Sequence, residues 1–282
     1  MLVNLKEILA SAESTNSAVG SFNIYNLESI LAVKEAIDKT KSPAIISFGE
    51  GYMSHAPIEI IANIVKTLFA TSDTAVVLHL DHCKNFSSIA KAIKAGFTSV
   101  MYDGSRLPLA ENIQNTKKVV ELAHCLNVSV EGELGYLNEE DGTGEASSNC
   151  TSVEDAINYT TNTDVDALAI AIGNAHGIYK STPKLNFEQL MRLHANIKCP
   201  LVLHGSSGIP LTDLQKSIDL GIRKFNINTE ISTTGVAIAR KFLNDNPYEM
   251  NPNLRLETVL KEARISMSDK IIEFMHLFSN NK

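Results

Sequence analysis

The 282 residues include no tryptophan, only four cysteines and eight prolines, and 6% aromatic side chains. Cys83, Cys125, Cys150 and Cys199 form no CxxC pair, which excludes a thiolate zinc knuckle and argues against a disulfide framework. A reducing, cytoplasmic setting is expected. No apolar run approaches the roughly 18 residues of a membrane span, and Lys6 and Glu7 interrupt the N-terminus before a signal-type segment can form, so no membrane partner is expected. Positive charge is also in short supply. With 25 Lys+Arg against 32 Asp+Glu the formal charge is −7, and no basic stripe appears, so nucleic acid is not expected as a partner. What is present, 44% apolar and 20% charged residues, suffices for a large buried core.

Short β-branched runs alternate with amphipathic segments eight times. The expected strands are Val19–Ile24, Ala44–Phe48, Ala75–Leu80, Ser99–Asp103, Ser129–Glu133, Ala167–Ile172, Leu201–His204 and Lys224–Ile227. Helical spacing follows, as in Leu27–Lys39, Ile58–Ala70, Ile113–Leu126 and Leu211–Leu220, with caps at Ser152 and Asn186. Unbroken alternation over this length predicts an α/β protein, a (β/α)8 TIM barrel in which residues 1–282 make one domain. Leu5–Ser14 is expected to close the barrel bottom, and Pro252–Phe278 to add one or two C-terminal helices. A doubly wound sheet is the alternative, but the G-x-G-x-x-G turn it needs after the first strand is absent.

In such a barrel, chemistry sits at the C-terminal ends of strands. There the sequence turns polar: HLDHC (79–83) offers Asp81 and His82, strand four ends at Asp103, and VEGE (130–133) carries Glu131 and Glu133 on one side. AIAIGNAHG (169–177) finishes at His176, LVLHGSSG (201–208) carries His204, and KFNINTE (224–230) carries Asn226 and Asn228. Three histidines at separate strand ends can meet around one ion, and imidazole suits zinc; the plain alternative is three hydrogen-bonded loop histidines. His79 reads as a core histidine, and His55, His124, His194 and His276 as surface or packing residues. The glycine-rich turn at 205–208 and the segment 226–229 occupy the usual phosphate cradle of a barrel, so a phosphorylated substrate is expected. The connection Leu134–Ser152 is long for a βα loop and contains the acidic run NEEDGTGE (138–145), read either as a lid carrying a base or as a solvated excursion.

The ordered set HLDHC, GNAHG, LHGSSG and NINTE, within a match running from FNIYN (22–26) to ARISM (263–267), resembles the class II, zinc-dependent ketose-bisphosphate aldolases. The resemblance implies reversible cleavage of a ketose phosphate to dihydroxyacetone phosphate and an aldehyde through a zinc-stabilised enediolate, with fructose- or tagatose-1,6-bisphosphate as substrate. It implies His82, His176 and His204 as zinc ligands, Asp103 and Glu133 around a second cation (zinc or sodium), and Asp81 as the acid/base on the aldehyde half. Glu140, with Glu139 as alternate, takes the C3 proton. Asn23, Gly177, Gly205, Ser206, Ser207, Asn226, Ile227, Asn228 and Thr229 contact substrate, and a homodimer or homotetramer is expected. Gly49, Cys83 and Asn228 depart from common family residues. The substrate's second phosphate needs a cation, for which Arg255 and Arg264, of this chain or of a neighbouring subunit, are candidates, although solvated helix arginines fit them better. Two further readings are an aldolase of another ketose 1-phosphate and an inactive barrel kept as a binding module. A barrel hydrolase is disfavoured because FNIYN lacks an HxH pair.

Overall fold

The computed structural model describes residues 1–135, 150–175, 177, 179 and 181–279. Eight parallel strands close into a barrel in sequence order: β1 (Val19–Asn23), β2 (Ala44–Gly49), β3 (Val76–Cys83), β4 (Ser99–Tyr102), β5 (Ser129–Leu134), β6 (Ala167–Ile170), β7 (Leu201–Leu203) and β8 (Ile222–Ile227). The helices are α1 (Leu5–Ser14), α2 (Leu27–Thr40), α3 (Ile58–Phe69), α4 (Phe86–Ala95), α5 (Leu109–His124), α6 (Val153–Thr163), α7 (Phe187–Asn196), α8 (Leu211–Asp219), α9 (Thr229–Asp245) and α10 (Leu256–Phe278). Local chemistry sets their starts. Asn26 and Ser29 form a capping box for α2, Ser152 caps α6 through the Asp155 amide, and Asn186 caps α7 through that of Gln189.

Strand alternation divides each strand into an inward and an outward set. Outward residues such as Ile46, Leu78, Val100, Leu168 and Phe225 join the layer between sheet and helices, where Phe225 stacks on Phe278 of α10 at 4.7 Å. Inward residues change character from bottom to top. At the bottom, α1 inserts Leu5, Ile8, Leu9 and Ala12 against Val19, Ile45, Val77, Ala167, Ala169 and Val202, and the Lys6 amide donates to Ser129 Oγ at the start of β5 at 3.1 Å. Leu5–Ser14 therefore plugs the N-terminal end as expected. One step up, the inward residues are polar: Ser21, Ser47, His79, Glu131 and Lys224, all fully buried. Above them stand Asn23, Asp81, Glu133 and Asn226.

Several boundaries differ from expectation by one to four residues, β3 running on to Cys83 and α5 beginning at Leu109. β6 stops at Ile170, because Asn174 folds back, accepting from the Ile172 amide at 2.8 Å and donating to His204 O at 3.0 Å. After β8 comes α9, and the C-terminal extension, expected as one or two helices, is one helix of 23 residues lying along α2 and α9.

Candidate active site

Successive residues of a regular strand point to opposite faces, so Asp81 and His82 could not both face the barrel axis without a fault in β3. The fault is there. Pairing with β4 runs Leu80 to Val100 and then Cys83 to Tyr102, leaving Asp81 and His82 opposite Met101, and His82 adopts φ +47°, a left-handed conformation rare for a side chain with a Cβ. The bulge turns two adjacent functional groups into one cavity.

Asp81 is held by both oxygens: Asn23 Nδ2 donates to Oδ2 at 2.9 Å and Asn226 Nδ2 to Oδ1 at 3.1 Å. Beside it, His82 Nε2 and His204 Nδ1 lie 2.9 Å apart. The other nitrogens of these rings face carboxylates. His204 Nε2 is 2.8 Å from Glu131 Oε1, and His82 Nδ1 is 3.5 Å from both Asp103 Oδ2 and Glu133 Oε2. With the ring protons on the carboxylate sides, the tautomers that such partners favour, the two nitrogens that face each other would both present lone pairs. Facing lone pairs repel unless a proton or a metal ion lies between them.

The surrounding charge points to a cation as well. Burial works against ionisation of Asp81, but His82, His204 and Lys224 outweigh it and hold its carboxyl well below the usual carboxylate range. Burial likewise opposes charging of His82, yet Asp81, Asp103 and Glu133 raise it to about 9. Burial, offset in part by His82 and reinforced by Asp103, Glu131 and Asp81, pushes Glu133 up to about 8. Glu133 Oε2 is buried and accepts no hydrogen bond among the described residues. Asp81, His82 and His204 form one group with metal-ligand spacing, and His82, Asp103 and Glu133 a second. Two imidazoles with carboxylates behind them fit a divalent ion of zinc type.

Opposite β3 and β4 across the barrel, Gly205 (φ +61°) and Gly208 (φ +85°) shape the turn after β7. The Ser207 hydroxyl accepts from the Glu230 amide at 3.2 Å, and α9 begins, with no side-chain cap, at Thr229, which lines the cavity. A cavity of about 420 Å³ joins this turn to the histidine pair.

Among the expected site residues, Asn23, Asp81, His82, Asp103, Glu133, Gly177, Gly205, Ser207, Asn226, Asn228 and Thr229 line the cavity. His204 lies fully buried against it through His82 and Asn226. Ser206 and Ile227 sit in the wall instead; the Ser206 hydroxyl donates to Leu203 O at 2.9 Å, and its amide donates to Asn226 O. His176, Glu139 and Glu140 lie outside the described residues. Neither Arg255 nor Arg264 borders the cavity, and Arg264 Nε lies 3.0 Å from Glu35 Oε1 on α2. Among the described residues, the cations that border it are Lys84, whose Nζ is 3.8 Å from Asp103 Oδ2, and Arg106. Both escaped the sequence reading, although each follows a strand-end acid by three residues or fewer. Lys224 also escaped it, and Glu131 was noticed without a role.

The sequence profile described as Fructose-bisphosphate aldolase class-II matches residues 3–282. A probable fructose-bisphosphate aldolase of Bacillus subtilis is 39% identical over 279 residues, covering 97% of each chain. A sulfofructosephosphate aldolase of Alkalicoccus urumqiensis is 36% identical over 281 residues, covering 98% of this chain and 96% of that one. Among solved structures, the YdjI aldolase of Escherichia coli K12 superimposes with a TM-score of 0.87 at 32% identity, over 99% of this chain and 97% of that one. A barrel that sets a buried carboxylate beside a closely spaced pair of imidazoles, matched over nearly its whole length by such relatives, belongs to the class II fructose-bisphosphate aldolase family, which are aldehyde-lyases.

Proposed function

We propose that this aldolase uses zinc to cleave, reversibly, a ketose 1-phosphate with a second anionic end into dihydroxyacetone phosphate and an aldehyde, with fructose- or tagatose-1,6-bisphosphate as the substrate. The observation that carries the reading is the 2.9 Å approach of His82 Nε2 to His204 Nδ1 beside a doubly held Asp81. His82 and His204 would hold the ion, with His176 as third ligand, and Asp103 and Glu133 stand ready for a second cation, zinc or sodium. Zinc, when bound, supplies a Lewis acid for the ketone oxygen and for the charge left on the three-carbon fragment after C3–C4 cleavage.

The chain's own groups do the rest. Asp81, ionised at neutral pH, keeps an acceptor position on each oxygen beyond its two amide partners and takes the C4 hydroxyl proton in the cleavage direction. In condensation it returns that proton to the aldehyde oxygen. Asn226 Oδ1, buried and unpaired among the described residues, is an acceptor for a substrate hydroxyl. Gly177, the turn carrying Gly205 to Ser207, and the segment from Asn226 to Thr229 receive the phosphate at the α9 N-terminus. Glu140, or Glu139, exchanges the C3 proton. Lys84 and Arg106 face the far end of the substrate, where a phosphate or a sulfonate carries negative charge.

We propose also a homodimer or homotetramer working in the cytoplasm; among the described residues, no helix is long and apolar enough to cross a membrane. The decisive assay follows triose phosphate release from fructose-1,6-bisphosphate, tagatose-1,6-bisphosphate, a 6-sulfonate ketose 1-phosphate and ketose 1-phosphates neutral at C6, before and after chelation. Cleavage of one of the two bisphosphates, lost on chelation and restored by zinc, is expected. Cleavage undiminished by exhaustive chelator removes the zinc reading.

A further inference from the structure

The reaction above makes no use of the ion pair lying beneath it. Lys224 Nζ, on β8, donates to Glu131 Oε2 of β5 at 2.7 Å, and both side chains are wholly inaccessible. The other oxygen, Oε1, meets His204 Nε2 at 2.8 Å. This layer of a barrel is ordinarily filled by branched apolar side chains. Here the inward residues Ser21 and Ser47 are small, and Lys224 reaches from one wall towards the other. A buried pair of this kind is weak as a source of stability, since taking both charges out of water opposes their attraction. Its retention therefore calls for a use elsewhere.

The geometry supplies one. His204 stands immediately after β7, whose three residues are the fewest of any strand, so its backbone gives the ring little support. Its ring is fixed from below by the carboxylate, and the carboxylate is fixed in turn by the lysine from the far wall. With Nε2 tied down, Nδ1 is turned to His82 at 2.9 Å, with the Asn226 amide 3.5 Å away. His79, itself anchored through Nδ1 to Ser99 Oγ at 2.8 Å, flanks Glu131 Oε2 at 3.8 Å and closes the third side.

We infer that Glu131 and Lys224 are positioning residues, a single unit that orients His204 so that its Nδ1 is presented to the metal. The inference rests on the metal-centre reading proposed above. A merely structural role and a positioning role predict opposite results for the double variant Glu131→Leu/Lys224→Met, which removes both charges together. Positioning predicts a folded barrel whose metal-free melting temperature matches or exceeds that of the wild type. Zinc affinity, measured by competition with a chromophoric chelator, is expected to fall by about 10- to 100-fold. A zinc affinity within about threefold of the wild type in that folded protein overturns the inference, because ligand-orienting partners are worth more than that. Should the double variant fail to fold, the isosteric Glu131→Gln carries the same test. Its amide cannot accept from both the imidazole and the ammonium, so it is held to the same expected loss and the same refutation. A wild-type protein that takes up no zinc in the same competition defeats the metal centre itself, a result separable from failure of the pair.

Discussion

Replacing Asp81 with alanine separates two roles that its position allows. The carboxylate lies within ligand spacing of His82 and His204, so it could be a metal ligand, yet both its oxygens are engaged by the amides of Asn23 and Asn226. On the proposed reading those amides hold it for proton transfer. A positioned acid or base contributes about 10²- to 10⁴-fold to a rate, and at about 1.4 kcal/mol per tenfold this is about 2.7 to 5.4 kcal/mol of barrier. The variant also leaves two buried amide donors without their acceptor, at about 1 to 3 kcal/mol each, a cost that appears in stability and not in metal binding. The expected result is kcat down by two to four orders of magnitude, a lower Tm, and one zinc per chain retained by elemental analysis. An Asp81→Ala protein with full activity refutes the acid/base role. One that loses zinc along with activity moves Asp81 into the ligand set.

His204→Ala, by contrast, is expected to lose zinc and activity together, measured on the same preparation; activity surviving without zinc would contradict the ligand assignment. Arg106→Ala should raise KM for the bisphosphate about tenfold with kcat little changed, while substrates neutral at C6 are unaffected, the contact to a charged end being partly solvated. Equal losses on both substrate classes would place Arg106 elsewhere than the substrate's far end. Leu9→Ala, in the fully buried plug at the barrel bottom, is expected to cost about 2 to 5 kcal/mol in urea unfolding. The effect on kcat of the remaining folded enzyme should be negligible, and a large one would mean that the two ends of the barrel are coupled.

The barrel was legible because each inner strand announces itself by a β-branched run and each helix by an amphipathic one, and α1 was located to the residue because Asn4 caps it while Leu5, Ile8, Leu9 and Ala12 share a face. The rim of the site was legible from chain position, since polar residues fall where strands end. Other parts depend on relations between strands that no single segment contains. Nothing in HLDHC states that β3 bulges, so alternation alone would send one of Asp81 and His82 outward. Lys224 looked like a strand's first residue because its partner, Glu131, is 93 positions away. Arg106, in a loop, gives no periodic signal.

The inward faces do carry a pattern that joins these observations. Ser21 precedes Asn23 by two, as His79 precedes Asp81, Glu131 precedes Glu133 and Lys224 precedes Asn226, so on β1, β3, β5 and β8 a buried polar residue lies directly beneath the one that faces the cavity. Groups in the upper layer must be aimed to within fractions of an ångström, and an apolar floor offers packing but no directional contact. A polar floor does offer one, as when Glu131 takes His204 by its Nε2. The floor is costly to bury, and the apolar plug from α1 beneath it supplies compensating stability from the end of the barrel farthest from the chemistry. On that division of labour, substitutions in the bottom layer should act on stability and those in the middle layer on the metal, although the two sets stand only one side-chain step apart along the same strands.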